Sequence, residues 1–190
     1  MNEQTERRRA ISDIPGIVVR CIVFFVFIFL TAAFQSSFFG AAGFFGSVPD
    51  LVLCAVLAVA ISDGEKSGAI CGIAGGVLTG AMGGSGTAFL PLFYCLIGYF
   101  AGYIASRTIR KNLISWTVYI VPAAFLRMCY GALYMAVAGD QAHFGRILSS
   151  MLLPEFVLTV VFSYLIYFVS FIVMLPLRSG RDRRGKTENE

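Results

Sequence analysis

Apolar residues run along this chain in long blocks, interrupted by short clusters of Gly, Pro and charged residues. The blocks cover residues 17–34, 49–62, 67–82, 87–106, 113–138 and 147–175. Each approaches or exceeds the roughly 20 residues that an α-helix needs to cross a ~30 Å hydrocarbon layer. Pro15 stands before the first block, where a helix start tolerates a missing N–H. None of the blocks shows the period-2 alternation of a membrane β-barrel, and backbone in lipid must satisfy its own hydrogen bonds, so helices are expected. The second and third blocks are short. Joined as one re-entrant hairpin, they would carry the turn Asp63-Gly64-Glu65-Lys66 towards the membrane centre, at about 2.5–3.5 kcal/mol per charge. Two full crossings keep that turn in water. The pattern therefore predicts an all-α integral membrane protein, a compact bundle of six transmembrane helices.

Composition agrees with the pattern. The 190 residues are 57% hydrophobic and 14% charged, with a mean hydropathy of +0.78. Ordinary soluble domains carry about 25% charge, so a soluble globule and a disordered chain are both excluded. Between Cys21 and Ser106 the only charged residues are Asp50, Asp63, Glu65 and Lys66. Lys and Arg then orient the spans. Of 15 such residues, Arg127 falls within the fifth block. With the N-terminus in the cytoplasm, only Arg146 falls in an outer connection. Arg7, Arg8, Arg9, Arg20, Lys66, Arg107, Arg110, Lys111 and the basic residues after position 177 are all inside. The expected organisation is a basic cytoplasmic tail at 1–14, a six-helix membrane domain at 15–177 and a basic, polar cytoplasmic tail at 178–190. The Arg run before an apolar block also suits a secretory signal, but that block is long and five more follow, which predicts a retained anchor. Positive-inside topology accounts for the basic tails, and attraction to anionic lipid or a cytoplasmic partner is the alternative.

Chemistry-bearing residues are scarce. Cys21, Cys54, Cys71, Cys95 and Cys129 lie in apolar blocks without metal-ligand spacing, so they are expected to act as small hydrophobes. The single histidine, His143, has no carboxylate or nucleophile motif beside it. Paired carboxylates within a span, a P-loop and HExxH are all missing. The expectation is a non-enzymatic protein with no cofactor, metal or nucleic-acid partner.

Glycine carries more information. In the third block Gly68, Gly72, Gly76 and Gly80 recur at every fourth position, and Gly84 continues the series. Such positions stack along one helix face, where missing side chains let a second helix approach closely. Gly98, Gly102 and Ser106 offer a matching face in the fourth block. These glycines are candidates for internal packing or for docking a partner. Two charges lie inside spans, Arg127 midway along the fifth and Glu155 near the start of the sixth. Antiparallel helices would hold both on the order of 10–17 Å below the outer boundary at 1.5 Å per residue, so they are expected to pair. A neutralised pair holding helices in register is one reading and a ligand or proton site is the other. Asp50 follows Pro49 at the start of the second helix, where its charge suits the helix dipole. The charge-free repeat Phe38-Phe39-Gly40 and Phe44-Phe45-Gly46 suits a non-helical strip in the outer interface or against a partner.

Residues 48–102 resemble the MreD family of bacterial rod-shape proteins. The resemblance rests on Pro49-Asp50-Leu51 opening an apolar helix, the polar turn from Asp63 to Lys66, and the stripe Gly68, Gly72 and Gly76. Gly86 then ends a Gly-rich turn, and Gly98-Tyr99 with Gly102 lie in the next helix. Leu153-Pro154-Glu155 is similar to the start of that family's last helix. Family members often carry an Asp near the end of the glycine helix, where this chain has Gly80, so no role of that carboxylate carries over. The resemblance implies a non-enzymatic subunit of the cell-elongation machinery in the bacterial cytoplasmic membrane. It would associate with an MreC-like membrane protein and, through it, with MreB-like filaments and peptidoglycan synthases. It also implies a fold similar to the substrate-binding S-components of energy-coupling-factor vitamin transporters. Capture of a vitamin is thus the alternative function, but a vitamin site needs several convergent polar or aromatic groups. The outer connections offer only Asp50, Asp140, Gln141, His143 and Arg146 beside small residues and phenylalanines.

Overall fold

The computed structural model describes residues 2–39, 47–82, 89–107, 113–138 and 152–187. Among them are six α-helices and no strand: α1 (Asn2–Phe34), α2 (Leu51–Asp63), α3 (Glu65–Ala81), α4 (Leu90–Arg107), α5 (Leu113–Ala138) and α6 (Leu153–Thr187). A π turn, Gln35–Phe39, continues α1. Phe38 and Phe39, expected in a non-helical strip, thus belong to the end of the first helix. The Phe39 ring is buried edge-on against Phe162 at 5.2 Å. Residues 40–46 lie outside the described part.

Three stretches are long and apolar enough to cross a membrane: Val18–Phe39, Ser115–Tyr134 and Leu153–Val173. Length and apolarity therefore make this a helical membrane protein with three candidate spans, where the sequence pattern predicts six. The other three helices are shorter, with 13 residues in α2, 17 in α3 and 18 in α4. At 1.5 Å per residue α2 reaches only about 20 Å.

The short α2 is the centre of the molecule. Every residue from Leu51 to Ala60 is buried, as a helix that is apolar on all sides requires. Helices α1, α3, α4 and α6 pack around it, and α5 touches it near one end. The outward surfaces are apolar as well. Leu30, Ile70, Val118, Leu133 and Phe168 are each at least 60% exposed, a pattern suited to lipid and not to water.

Two polar contacts fix α1 antiparallel to α2. At one end Arg20 Nη1 lies 3.1 Å from Asp63 Oδ1, and the Ser67 hydroxyl donates to Asp63 Oδ2 at 2.7 Å. At the other end Gln35 Oε1 accepts from the backbone N–H groups of Leu51 (2.8 Å) and Val52 (3.1 Å). These N–H groups belong to the first turn of α2 and have no partner within the helix.

The polar turn expected at 63–66 is a single-residue break. Asp63 ends α2, Glu65 begins α3, and Gly64 between them has φ +99°. Side-chain-bearing residues rarely adopt that conformation. The Gly64 N–H donates to the Ala60 carbonyl at 2.9 Å, so α2 closes and α3 folds back at once. Arg20, Lys66 and Arg107 all belong to this Asp63 end, because α4 runs antiparallel to α3 and its Gly102 abuts Glu65.

Candidate functional site

Asp50 caps α2, and the polar centre of the molecule is built on it. Its Oδ1 accepts from the Leu53 N–H at 3.0 Å, the bond that makes Asp a favoured N-cap. Its Oδ2 accepts from Arg127 Nε at 3.0 Å and from the Tyr94 hydroxyl. Its own N–H donates to Thr159 Oγ1 at 2.9 Å. Asp50 is 2% exposed, so both carboxylate oxygens are withdrawn from water and both are used. Such saturation is needed, because a buried carboxylate without partners loses its hydration with nothing in return.

Arg127 reaches this carboxylate from the middle of α5. Its Nη2 lies 3.7 Å from Glu155 Oε1 on α6, so the two charges singled out in the sequence are brought together. The closer partner is nevertheless Asp50. The guanidinium also lies 5.9 Å from the Tyr130 ring centroid, within reach of a cation–π attraction. Tyr130 in turn stacks on Phe93 at 4.7 Å. Glu155 keeps 27% of its side chain exposed, against 3% for Asp50 and 14% for Arg127. One network thus ties α2, α4, α5 and α6 together, and Gln35 brings the end of α1 beside it.

A recess of about 10 Å³ opens next to this cluster, lined by Arg127, Glu155 and Thr159 with Ala124, Met128 and Phe156. That volume is about what one water needs. Among the described residues no group of His, Cys, Asp and Glu is arranged to hold a metal, and no buried side-chain polar atom lacks a partner. Chemically, the arrangement is a charge-paired clamp between helices. Its two carboxylates face one guanidinium, and the more exposed carboxylate borders the recess.

The glycine face forms a second constellation. A Cβ built on Gly68 would lie 2.5 Å from the Gly98 carbonyl oxygen, and one on Gly102 would lie 2.6 Å from Glu65 Cα. Gly72 abuts the backbone of Tyr94 and Cys95, and Gly76 that of Leu90 and Pro91. Helices α3 and α4 therefore meet backbone to backbone. Gly80 is different: among the described residues nothing lies within 4 Å of its Cβ position, so it stands outside the described α3–α4 interface. Gly75, off the stripe, faces Val52 and Val56 of α2 at 2.9 and 3.0 Å.

Pro49 is buried beside Asp50, Pro154 is half-buried in the first turn of α6, and Tyr99 is exposed. Cys54 and Cys71 are buried and Cys21 and Cys129 exposed, all as free thiols. Gly84, Gly86, Arg110, Lys111, Asp140, Gln141, His143 and Arg146 lie outside the described residues. Sequence reasoning set the Asp50 charge at the helix dipole and missed it as the cap of α2 and the partner of Arg127, along with Tyr94, Thr159, Gln35 and Gly75. One signal was available for Tyr94. It precedes Gly98 and Gly102 at the same four-residue interval, a polar atom set on the face of small residues. Comparison with family models, curated proteins and solved structures returns no match.

Proposed function

We propose that this chain is a non-enzymatic scaffold of the bacterial cytoplasmic membrane. It has six crossings with both termini in the cytoplasm, and it serves the cell-elongation machinery as MreD-like proteins do. Its partners in this reading are an MreC-like membrane protein and, indirectly, MreB-like filaments and peptidoglycan synthases.

The observation that carries the reading is the saturation of the buried Asp50 carboxylate. Asp50, Arg127, Tyr94 and Thr159 spend their polar atoms on one another. Charge kept for transport or catalysis characteristically faces a cavity or a substrate path. Charge spent between helices fixes their register, which is what a scaffold requires. The recess at Glu155, with room for about one water, is far below the roughly 300–1,000 Å³ of a small-molecule site.

Two further features support six crossings. Helix α2 is enclosed by other helices, so its length of about 20 Å need not match the hydrocarbon layer by itself. Arg20, Lys66 and Arg107 gather at the Asp63 end, as a single cytoplasmic face would have them.

Depletion of the protein in its host is the test. The expected result is loss of normal cell width, with recovery of an MreC-like protein when the tagged chain is purified. Unchanged width together with lost uptake of a vitamin would overturn the scaffold reading and establish the transporter alternative.

A further inference from the structure

On the outward face of α4, Tyr99, Tyr103 and Arg107 follow one another at intervals of four and so stack on one side of the helix. The Tyr99 and Tyr103 rings are 6.4 Å apart and 15° from parallel, and the Arg107 guanidinium lies 4.7 Å from the Tyr103 ring centroid. Tyr99 is 42% exposed, Tyr103 is 37% exposed, and Arg107 is exposed. Among the described residues Arg107 has this ring as its partner and no carboxylate. Lys66, also exposed, adds a second cation at the same end, because Glu65 abuts Gly102. Leu92 and Leu96 continue the face away from that end, exposed and apolar.

The order along the helix is cation, phenol, phenol, aliphatic. Stacking on Tyr103 occupies the plane of the guanidinium and leaves its N–H edge open to an oxygen acceptor. That edge matches the geometry of a phosphate, which guanidinium binds bidentately. Tyrosine rings favour the depth of lipid headgroups, and the leucines beyond them match acyl chain. We propose that Tyr99, Tyr103, Arg107 and Lys66 form a site for the phosphate headgroup of an anionic phospholipid. Its leaflet, the inner one, follows from the orientation proposed above, whereas the headgroup chemistry stands without it.

Native mass spectrometry of the purified full chain tests this, with phosphatidylglycerol offered against phosphatidylcholine of the same acyl chains. The expected result is preferential retention of phosphatidylglycerol. R107Q should lower that preference about fivefold, the effect of removing one basic charge near an anionic surface. R107K should keep only part of it, because an ammonium neither stacks nor binds bidentately, Y103F should keep most of it, and Y103A should lose it. R7Q removes the same charge from the N-terminal tail and should leave the preference intact. Equal retention of the two lipids would overturn the proposal. So would equal losses in R7Q and R107Q, because net charge alone would then explain the binding. If R107Q does not yield folded protein, Y103A against Y103F decides in the same way. Because lipid binding is read on purified protein, its failure leaves the elongation reading standing, and the reverse also holds.

Discussion

Along the α3–α4 interface helices meet where side chains are missing, whereas around Asp50 they meet through side chains reaching across from neighbouring helices. Gly68 and Gly98, Gly72 and Tyr94, and Gly76 and Pro91 bring backbones together, so the contact is made of many small dispersion terms. The Asp50 cluster has few contacts, each directional and each involving a group that lipid would not tolerate unpaired. The first region is broad and shape-dependent, and the second is narrow and charge-dependent. They should therefore fail differently. In the first, adding atoms is harmful. In the second, removing them is.

Asp50→Ala should have the largest effect of any single change. It strips Arg127 of its nearer carboxylate, a loss of about 3–5 kcal/mol for a buried pair, and removes the α2 cap, worth about 0.5–2 kcal/mol. The yield of monodisperse protein in detergent should collapse. Asp50→Asn keeps a capping oxygen and should fall between Ala and wild type. Equal yields for Ala and wild type would show that the network is not what holds α5 and α6 to the rest.

Next come Gly72→Leu and Gly76→Leu, where a new side chain meets main chain that cannot rotate away. Overpacking commonly costs about 1–3 kcal/mol, and backbone neighbours leave little room for relief, so the upper end is expected. Thermal unfolding in detergent, followed by size-exclusion chromatography, should show midpoints well below wild type. Normal abundance and normal complex formation in both variants would remove the glycine face from the account of stability.

The two regions were unequally legible in the sequence. Glycine spacing alone announces a helix face without side chains, and a partner helix with the same interval completes the interface. That reading needs only the 3.6-residue period. At Gly80 periodicity alone does not choose between internal packing and a partner, because it says which face a residue shares and not how far along that face the neighbour extends. The polar cluster gave less away. Arg127 and Glu155 stood out as charges in apolar blocks, yet Asp50 had a sufficient local explanation in the helix dipole. Its pairing with Arg127 depends on how α2 lies against α5, which no local pattern encodes. The six apolar blocks correspond to six helices, but among the described residues three meet membrane-spanning length and apolarity. Helix α2 is buried by its neighbours, and burial within protein and burial within lipid leave the same apolar signature.

A double-mutant comparison on Arg127 sharpens the contrast within the polar region itself. Coupling between Arg127→Gln and Asp50→Asn should reach about 2 kcal/mol, towards the upper part of the range for contacting groups. Coupling between Arg127→Gln and Glu155→Gln should stay below about 1 kcal/mol, because that pair is longer and more exposed. Unfolding of the three single variants and two doubles in the same detergent supplies both numbers. The reverse order would make Glu155 the principal partner. A double charge reversal of Arg127 and Glu155 should accordingly restore little, because Asp50 would then face a carboxylate.

The smallest effect is expected at Gly80, and it tests the glycine region most closely. Gly80 shares the four-residue interval of Gly72 and Gly76, but among the described residues nothing meets its Cβ position. If contact and not periodicity makes a glycine necessary, Gly80→Leu should unfold within about 0.5 kcal/mol of wild type, as substitutions away from packed features do. Gly80→Ala should even gain slightly, since alanine is better than glycine in a helix by about 1 kcal/mol in water. Purified protein is the right setting, because there only the chain's own neighbours act. The same Gly80→Leu chain expressed in its host then asks a separate question. A normal melting curve together with lost recovery of the MreC-like protein would assign the open end of the stripe to a partner helix. Recovery at wild-type levels would confine the glycine face to internal packing from Gly68 to Gly76.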